Sequence, residues 1–383
     1  DSDIVNGHCV LHPTRGIELV EERNWFFRLS RYQGALREHF ARHPEFLEPE
    51  FRRNEILSLL ADGLDDISAS RARFTWGVPF PRPLSTGETQ TTYVWFDALP
   101  NYWTVTRGPG APATWPAQLH VIGKDITRFH AIIWPAMLLA AGLALPERVW
   151  AHGFISLAGE RFSKSAGVKL ELDEAIDRFG ADAFRYYLLR DVPFDDDGGF
   201  SWERFGEVYE SDLANTLGNL ASRASAMVEK YFAGVVPPAA ATAHDDAVTA
   251  TLAKGVQAVT GGHGFLVHEA VAAAMATVRE TNEFVQRTQP WALAKDPARR
   301  GELAQVLASA IRSLARQAIV LAPIIPGKSQ ELWRSLGGPG NVHDQRWDAR
   351  VPQDVTGWRV NKGPSLFPKP VPIATSQATG PVT

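Results

Sequence analysis

Residues 160–167 read Glu160-Arg161-Phe162-Ser163-Lys164-Ser165-Ala166-Gly167, a lysine set between two serines ahead of an Ala-Gly break. Ser, Ala and Gly favour a loop with accessible backbone N–H groups, and Lys164 adds a compact positive charge. Such a loop can grip phosphate, although an ordinary solvated turn has the same composition. Upstream, Gly123-Lys124-Asp125 stands at the end of a β-prone run and before a helical one. A turn plus an N-cap is the plain reading of Gly123 and Asp125, and a ligand-binding one can share the same geometry. His152-Gly153 follows another run of the same kind. Cys9-x-x-His12 has half the spacing of a zinc knuckle, but a tetrahedral site needs four ligands and no second pair occurs. A free Cys and His is the competing reading. Asn219 and Arg223, four apart, share one helix face and have the side chains best suited to base edges. A solvated polar face is the plain alternative.

The elements that position these residues change character along the chain. Tyr93-Val94-Trp95-Phe96, Leu119-His120-Val121-Ile122 and Arg148-Val149-Trp150-Ala151 read as short strands, with a helical stretch from Asp125 to Leu143. Strands alternating with helices imply a parallel, doubly wound sheet, which binds ligands at the carboxyl ends of its strands. After Phe200 the pattern is helical. Phe205, Tyr209, Leu213, Leu217, Leu220, Ala224, Val228 and Tyr231 form one apolar stripe; Asp212, Asn215, Asn219 and Arg223 form a polar one facing away from it. A second helix ends near Thr288 before Pro290, and a third carries Leu303 to Leu321, so three long helices make a bundle. Gly234 to Thr242 reads as a loop within it, and the Pro-, Ser- and Thr-rich stretch from about Asn361 as a loosely docked tail. The net charge of −4 excludes a generic polyanion sponge but not a local basic surface. A single cysteine rules out an intrachain disulfide and points to a reducing compartment. No stretch approaches the length of a membrane span.

Taken in order, these motifs resemble the class I aminoacyl-tRNA synthetases and, more narrowly, the methionyl-tRNA synthetase family. Arg161-Phe162-Ser163-Lys164-Ser165 resembles the signature loop written K-M-S-K-S. The run Tyr93 to Leu99, Gly123-Lys124-Asp125-Ile126, Phe129-His130 with Trp134-Pro135-Ala136-Met137-Leu138, Arg178 to Asp182, Asn219 to Arg223 and Gln289-Pro290-Trp291 all look like that family, from about Cys9 to Trp358. The resemblance implies the second half of a Rossmann-type α/β catalytic domain followed by an all-α anticodon-binding bundle. Its implied boundaries are 1–45 for the end of a connective insertion, 46–150 for the catalytic half, 151–200 for the signature-loop region, 201–345 for the bundle and 346–383 for a C-terminal extension.

The implied reaction joins methionine to ATP as methionyl-adenylate, releasing pyrophosphate, and passes the methionyl group to tRNA(Met). By resemblance Trp95, Ala98, Leu99, Tyr102, Ile126 and His130 line the methionine pocket. Aromatic walls suit a polarizable thioether. Gly123, Asp125, His152, Ile155, Ser163 and Lys164 would bind ATP, which brings Mg2+ with it; Lys164, with Arg161, would stabilise charge on the departing pyrophosphate. Asn219, Arg223, Pro290 and Trp291 would read the anticodon, and Arg71 would pair with an acidic side chain of the other catalytic half.

Arg161 and Phe162 stand where the signature has Lys and Met, which keeps a charge and an apolar anchor. The H-I-G-H signature is absent from these residues, so an upstream half is expected to carry it, and the chain alone is expected to activate methionine poorly. Zn2+ is expected only if upstream ligands join Cys9 and His12. A cytoplasmic monomer is expected. A tRNA-binding module without catalysis and a class I synthetase for another amino acid are the competing readings.

Overall fold

Two hydrophobic cores organise the chain. The computed structural model describes residues 4–5, 8–9, 12–17, 21–110, 114–157, 160–161, 172–260, 265–346 and 353–368. They fall into two units that divide between Ala151 and His152.

In the first unit, Val149–His152 is flanked by Leu47–Glu48 on one side and His120–Gly123 on the other. The pairing with Leu47–Glu48 is parallel, with Val149 opposite Leu47 and Trp150 opposite Glu48. The central strand is buried on both faces at Val149, Trp150 and Ala151, as its apolar residues suit, while Val121 in the neighbouring strand faces outward. Leu36, Phe40, Phe46, Leu47, Ile56 and Leu60 pack on it from one part of the chain, and Ala131, Ile132, Trp134, Ala136 and Leu138 from another. The helical stretch after Gly123 is composite: a short 3-10 turn at Lys124–Ile126, a π-helical turn at Phe129–Ile133, then the α-helix Trp134–Ala141. Gly142, at φ +68°, ends it in the left-handed conformation that glycine adopts without strain.

One predicted strand is a helix. Thr91–Thr92 pairs with Ser70–Arg71, and the chain then turns into a helix at Val94–Ala98. The β-branched and aromatic residues of Tyr93 to Phe96 favour strand locally, but packing decides otherwise. Phe96 lies edge-on to Phe27 at 5.5 Å, and Trp95 stacks on Phe129. A helical turn lets both contacts form from adjacent residues; alternation would send them to opposite faces.

Among its described residues the second unit holds four long helical segments where three are predicted: Trp202–Phe232 in three consecutive pieces, Ala243–Thr260, Val267–Thr288 and Arg300–Leu321. Ala243–Thr260 escapes the periodicity reading because it approaches its neighbour through small residues. A Cβ on Gly255 would come within 2.7 Å of the Ala273 Cβ, so bulk is excluded from that contact. The middle piece of the first segment, Tyr209–Gly218, is π-helical. Its i→i+5 bonding advances each residue by less than the α-helical angle and rotates the faces. Asp212, placed by α-helical spacing on the solvated stripe, therefore turns inward. Tyr186 donates to it at 2.8 Å, and Arg190 and Arg279 stand 3.7 and 4.0 Å away. The tail also departs from expectation up to Pro368. Leu366 and Phe367 are buried, and Tyr209 donates its hydroxyl to the Pro368 carbonyl at 2.5 Å.

Asp245 ties this bundle together. It is 3% exposed and accepts from Arg312 Nε at 2.9 Å, Ser309 Oγ at 2.6 Å and the Thr242 backbone at 2.7 Å. Arg312 also donates to the carbonyls of Ala239 and Ala240 at 3.0 and 2.9 Å. Burial works against the Asp245 charge, but the bonds from Arg312, Ser309 and Thr242 outweigh it and hold its pKa below the ordinary 3.8. This stabilisation is present above that value and is lost as the pH falls through the lower folded-state value. Asp245→Ala should destabilise the unit by about 3–5 kcal/mol, because it strands a buried guanidinium, while a paired Asp245→Leu, Arg312→Met change should cost far less. Urea titrations of the three proteins would check the order.

Candidate active site

Of the residues predicted to line a pocket in the first unit, Trp95, Tyr102 and His130 meet in one aromatic cluster, and the Ile126 carbonyl is bonded to His130. Trp95, from Val94–Ala98, stacks on Phe129 with ring centroids 3.9 Å apart and planes inclined by 17°. Tyr102, on the short helix Asn101–Thr104, donates its hydroxyl across 2.9 Å to His130 Nε2. The other ring nitrogen of His130, Nδ1, lies 3.0 Å from the Ile126 carbonyl, which can only accept, so Nδ1 carries the proton. The spacing of His130 from Ile126 allows this bond because the two are four apart across the turn that follows Gly123.

His130 is 1% exposed, and burial lowers its pKa, with the Ile126 bond opposing. Its imidazole is therefore neutral, and Nε2 offers a lone pair to Tyr102. Burial likewise raises the Tyr102 phenol pKa. Leu99 is sealed in the core at 1% exposure, Ala98 is exposed and Ile126 is half-buried. The result is an apolar, aromatic surface holding an uncharged polar pair. It can accept an apolar, polarizable side chain and offers no formal charge to one that carries charge.

Three further members were not assigned from sequence. His120 lies under Tyr102 at 4.4 Å between centroids, Trp134 lies 6.3 Å from Tyr102, and Phe129 faces Trp95. The signal for Phe129 and Trp134 was present, since both flank His130 on one helical stretch. Nothing local marked His120, which reads as an ordinary strand residue.

The nucleotide candidates are distributed over both units. In the first, Gly123 ends the strand and precedes the 3-10 turn carrying Asp125, whose side chain is exposed. In the second, His152 packs face to face with Phe194 at 6.1 Å, and Ile155 pairs with Gly198 in a parallel ladder. The Gly153 backbone passes so close to Asp196 that any Cβ would overlap its carbonyl. Arg161 belongs to the strand Glu160–Arg161, paired with Ile155–Leu157. Ser163 and Lys164 lie outside the described residues.

Arg71 stands over the Tyr93 ring at 3.8 Å and donates to the Ser70 carbonyl at 2.9 Å. Cys9 and His12 are register partners in a tight antiparallel turn, and their side chains lie outside the described set. Among the described residues no three His, Cys, Asp or Glu side chains gather as a metal site, so no step through zinc is derived.

In the bundle, Asn219 begins the helix Asn219–Phe232 and is exposed, with Arg223 half-buried one turn on. Gln289, at φ +47°, ends the long helix in a left-handed turn, and Pro290 starts a new one. Pro290 is buried at that corner and leaves the Trp291 indole 36% exposed.

Comparison with known proteins follows this geometry. The profile of the family described as "tRNA synthetases class I (M)" matches residues 1–225. The methionine–tRNA ligase of Streptomyces coelicolor is 41% identical over 381 residues, spanning 94% of this chain and 69% of its own length. The methionine–tRNA ligase of Synechocystis is 41% identical over 343 residues, spanning 87% of this chain and 64% of its own. The structure of Mycobacterium tuberculosis methionyl-tRNA synthetase in complex with methionyl-adenylate superposes with a TM-score of 0.85 at 36% identity, over 96% of this chain and 74% of that one.

The cluster yields a pH prediction. Burial first, and the neighbouring His130 second, push the His120 pKa down to about 4 from 6.5. Below pH 6.5 the unfolded chain takes up this proton and the folded chain does not, so stability is full above that pH and falls as the pH approaches 4. The loss attributable to His120 is on the order of 3 kcal/mol. Denaturant titrations from pH 7 to pH 4 should show the slope, and His120→Phe should flatten it.

Proposed function

We propose, for a chain that belongs to the tRNA synthetases class I (M), that it binds methionine in the aromatic cluster of its first unit and serves methionyl-tRNA formation. The observation that carries this reading is the neutral Tyr102–His130 pair inside aromatic walls. A methionine side chain has no charge and no strong hydrogen-bonding group, and its sulfur gains from ring edges. Trp95, Ala98, Leu99, Tyr102, Ile126 and His130 contribute the pocket.

In the reaction, a methionine carboxylate oxygen attacks the α-phosphorus of ATP, and the bond to the β-phosphate oxygen breaks to release pyrophosphate. Gly123, Asp125, His152 and Ile155 hold the adenosine, while Ser163, Lys164 and Arg161 meet the phosphates. Mg2+ enters with ATP and shields its charge. Lys164 and Arg161 favour the transition state because negative charge grows on the leaving pyrophosphate. A terminal ribose hydroxyl of tRNA(Met) then attacks the methionyl carbonyl, the bond to the AMP phosphate oxygen breaks and AMP leaves, while the bundle reads the anticodon through Asn219, Arg223, Pro290 and Trp291. The enzyme works in the cytoplasm as a monomer. Among the described residues no helix is long and apolar enough to cross a membrane.

Quenching of tryptophan fluorescence, given Trp95 and Trp134 in the cluster, should report methionine binding roughly tenfold tighter than leucine binding. Equal affinity for the two would sink the reading. In the complete enzyme, Lys164→Ala should slow methionine-dependent ATP–pyrophosphate exchange by about 10²-fold or more with little change in methionine affinity. Trp291→Ala should weaken tRNA(Met) binding by about tenfold, since stacking of one base contributes about 1–3 kcal/mol. A filter-binding isotherm unchanged from wild type would instead leave Trp291 a packing residue, with a lowered melting temperature as its mark.

A further inference from the structure

We propose that His120 is a positioning residue of the candidate methionine pocket: its flat ring is the platform that holds the Tyr102 phenol against His130. The inference rests on the methionine reading for its purpose, though not for its geometry.

Tyr102 needs such a support. It sits on a helix of four residues, Asn101–Thr104, whose other side chains are exposed or half-buried. Its own backbone N–H reaches the Leu99 carbonyl only at 3.3 Å, and its side chain remains 38% exposed. A phenol on such an element has several rotamers open to it, and a hydrogen bond alone fixes one atom of the ring rather than its plane.

Three rings surround the phenol. His130 lies edge-on 5.5 Å away, and Trp134 lies 6.3 Å away with its plane tilted by 51°. His120 is the nearest, at 4.4 Å with planes inclined by 50°.

His120 is in turn well anchored. It opens the strand His120–Gly123, its backbone N–H donates to the Arg148 carbonyl at 2.9 Å, and it is 5% exposed. The Trp115 ring lies 6.4 Å away, and the Trp115 indole is tied to the Ala144 carbonyl at 3.0 Å. The sheet thus carries an anchored ring beneath a short, exposed helical turn.

The chemistry of His120 supports a role through shape. Its Nε2 is buried and has no hydrogen-bond partner among the described residues. That nitrogen anchors no polar network, and the ring is uncharged near neutral pH. What the side chain offers Tyr102 is a flat, neutral face. Removing that face frees the phenol to leave His130, which makes the pocket less defined for a thioether.

The test reads the Tyr102–His130 bond directly. In ¹⁵N-imidazole spectra, with the His130 signal assigned through His130→Gln, Tyr102→Phe calibrates the shift of Nε2 on loss of its partner. His120→Ala should reproduce most of that shift and weaken methionine binding about tenfold. His120→Phe should leave both near wild type. His120→Leu fills the buried volume without a flat ring, so it separates lost packing from lost platform. It should behave as His120→Ala with a cooperative unfolding transition retained.

A His130 signal unmoved in the Ala and Leu variants overturns the proposal. So does a Phe variant as defective as Ala, which would assign the role to a ring nitrogen. If the spectra behave as expected but the wild-type chain does not prefer methionine over leucine, the positioning role stands and the substrate reading falls.

Discussion

The first unit depends on keeping a histidine uncharged inside a nearly sealed aromatic cluster. His130 gives its one proton to the Ile126 carbonyl and receives another from Tyr102. Both ring nitrogens are then satisfied without a charge, which removes the main penalty of burying a polar ring. The π-helical turn at Phe129–Ile133 matters here because it sets the ring between Ile126 and Tyr102. Such turns recur where a helix must aim one side chain at a function. Trp95, Tyr102 and His120 then surround the imidazole, so its polar atoms are met inside the cluster.

The second unit solves a related problem in another way. Its buried Asp245 and Arg312 are paired rather than neutralised. Asp245 and Arg312 complete each other and use their remaining hydrogen-bonding capacity on Ser309, Thr242 and two carbonyls of the preceding loop. The pair therefore specifies how that loop meets the bundle, although a hydrophobic pair of similar volume would stabilise at least as well. Thr281 and Ser313, joined at 2.7 Å, add a second polar seam between Val267–Thr288 and Arg300–Leu321. A bundle fixed in register by such seams can present Asn219 and Trp291 from separate helices at constant positions.

Much of this was legible from residue order alone. The strands His120–Gly123 and Val149–His152 and the helices ending at Thr288 and Leu321 follow from β-prone runs, from apolar periodicity and from the stop at Pro290. Trp95, Tyr102 and His130, which the structure brings into one cluster, were named from sequence because their types and order match a recognisable family pattern. Family membership itself extends over nearly the whole chain, at 41% identity over 381 residues to one relative.

Tertiary packing decided the rest. Whether Tyr93 to Phe96 runs as a strand or turns into a helix depends on where Phe27 and Phe129 stand, residues distant in sequence. The inward turn of Asp212 depends on a change of helical pitch that no residue type announces, and its partners Tyr186, Arg190 and Arg279 come from other helices. His120 meets Tyr102 only because the sheet brings its first residue beneath that ring. Sequence determines local preference and, through pattern, kinship. Long-range contacts determine which of several locally permitted conformations is kept, because each adds more free energy than the small differences in local propensity.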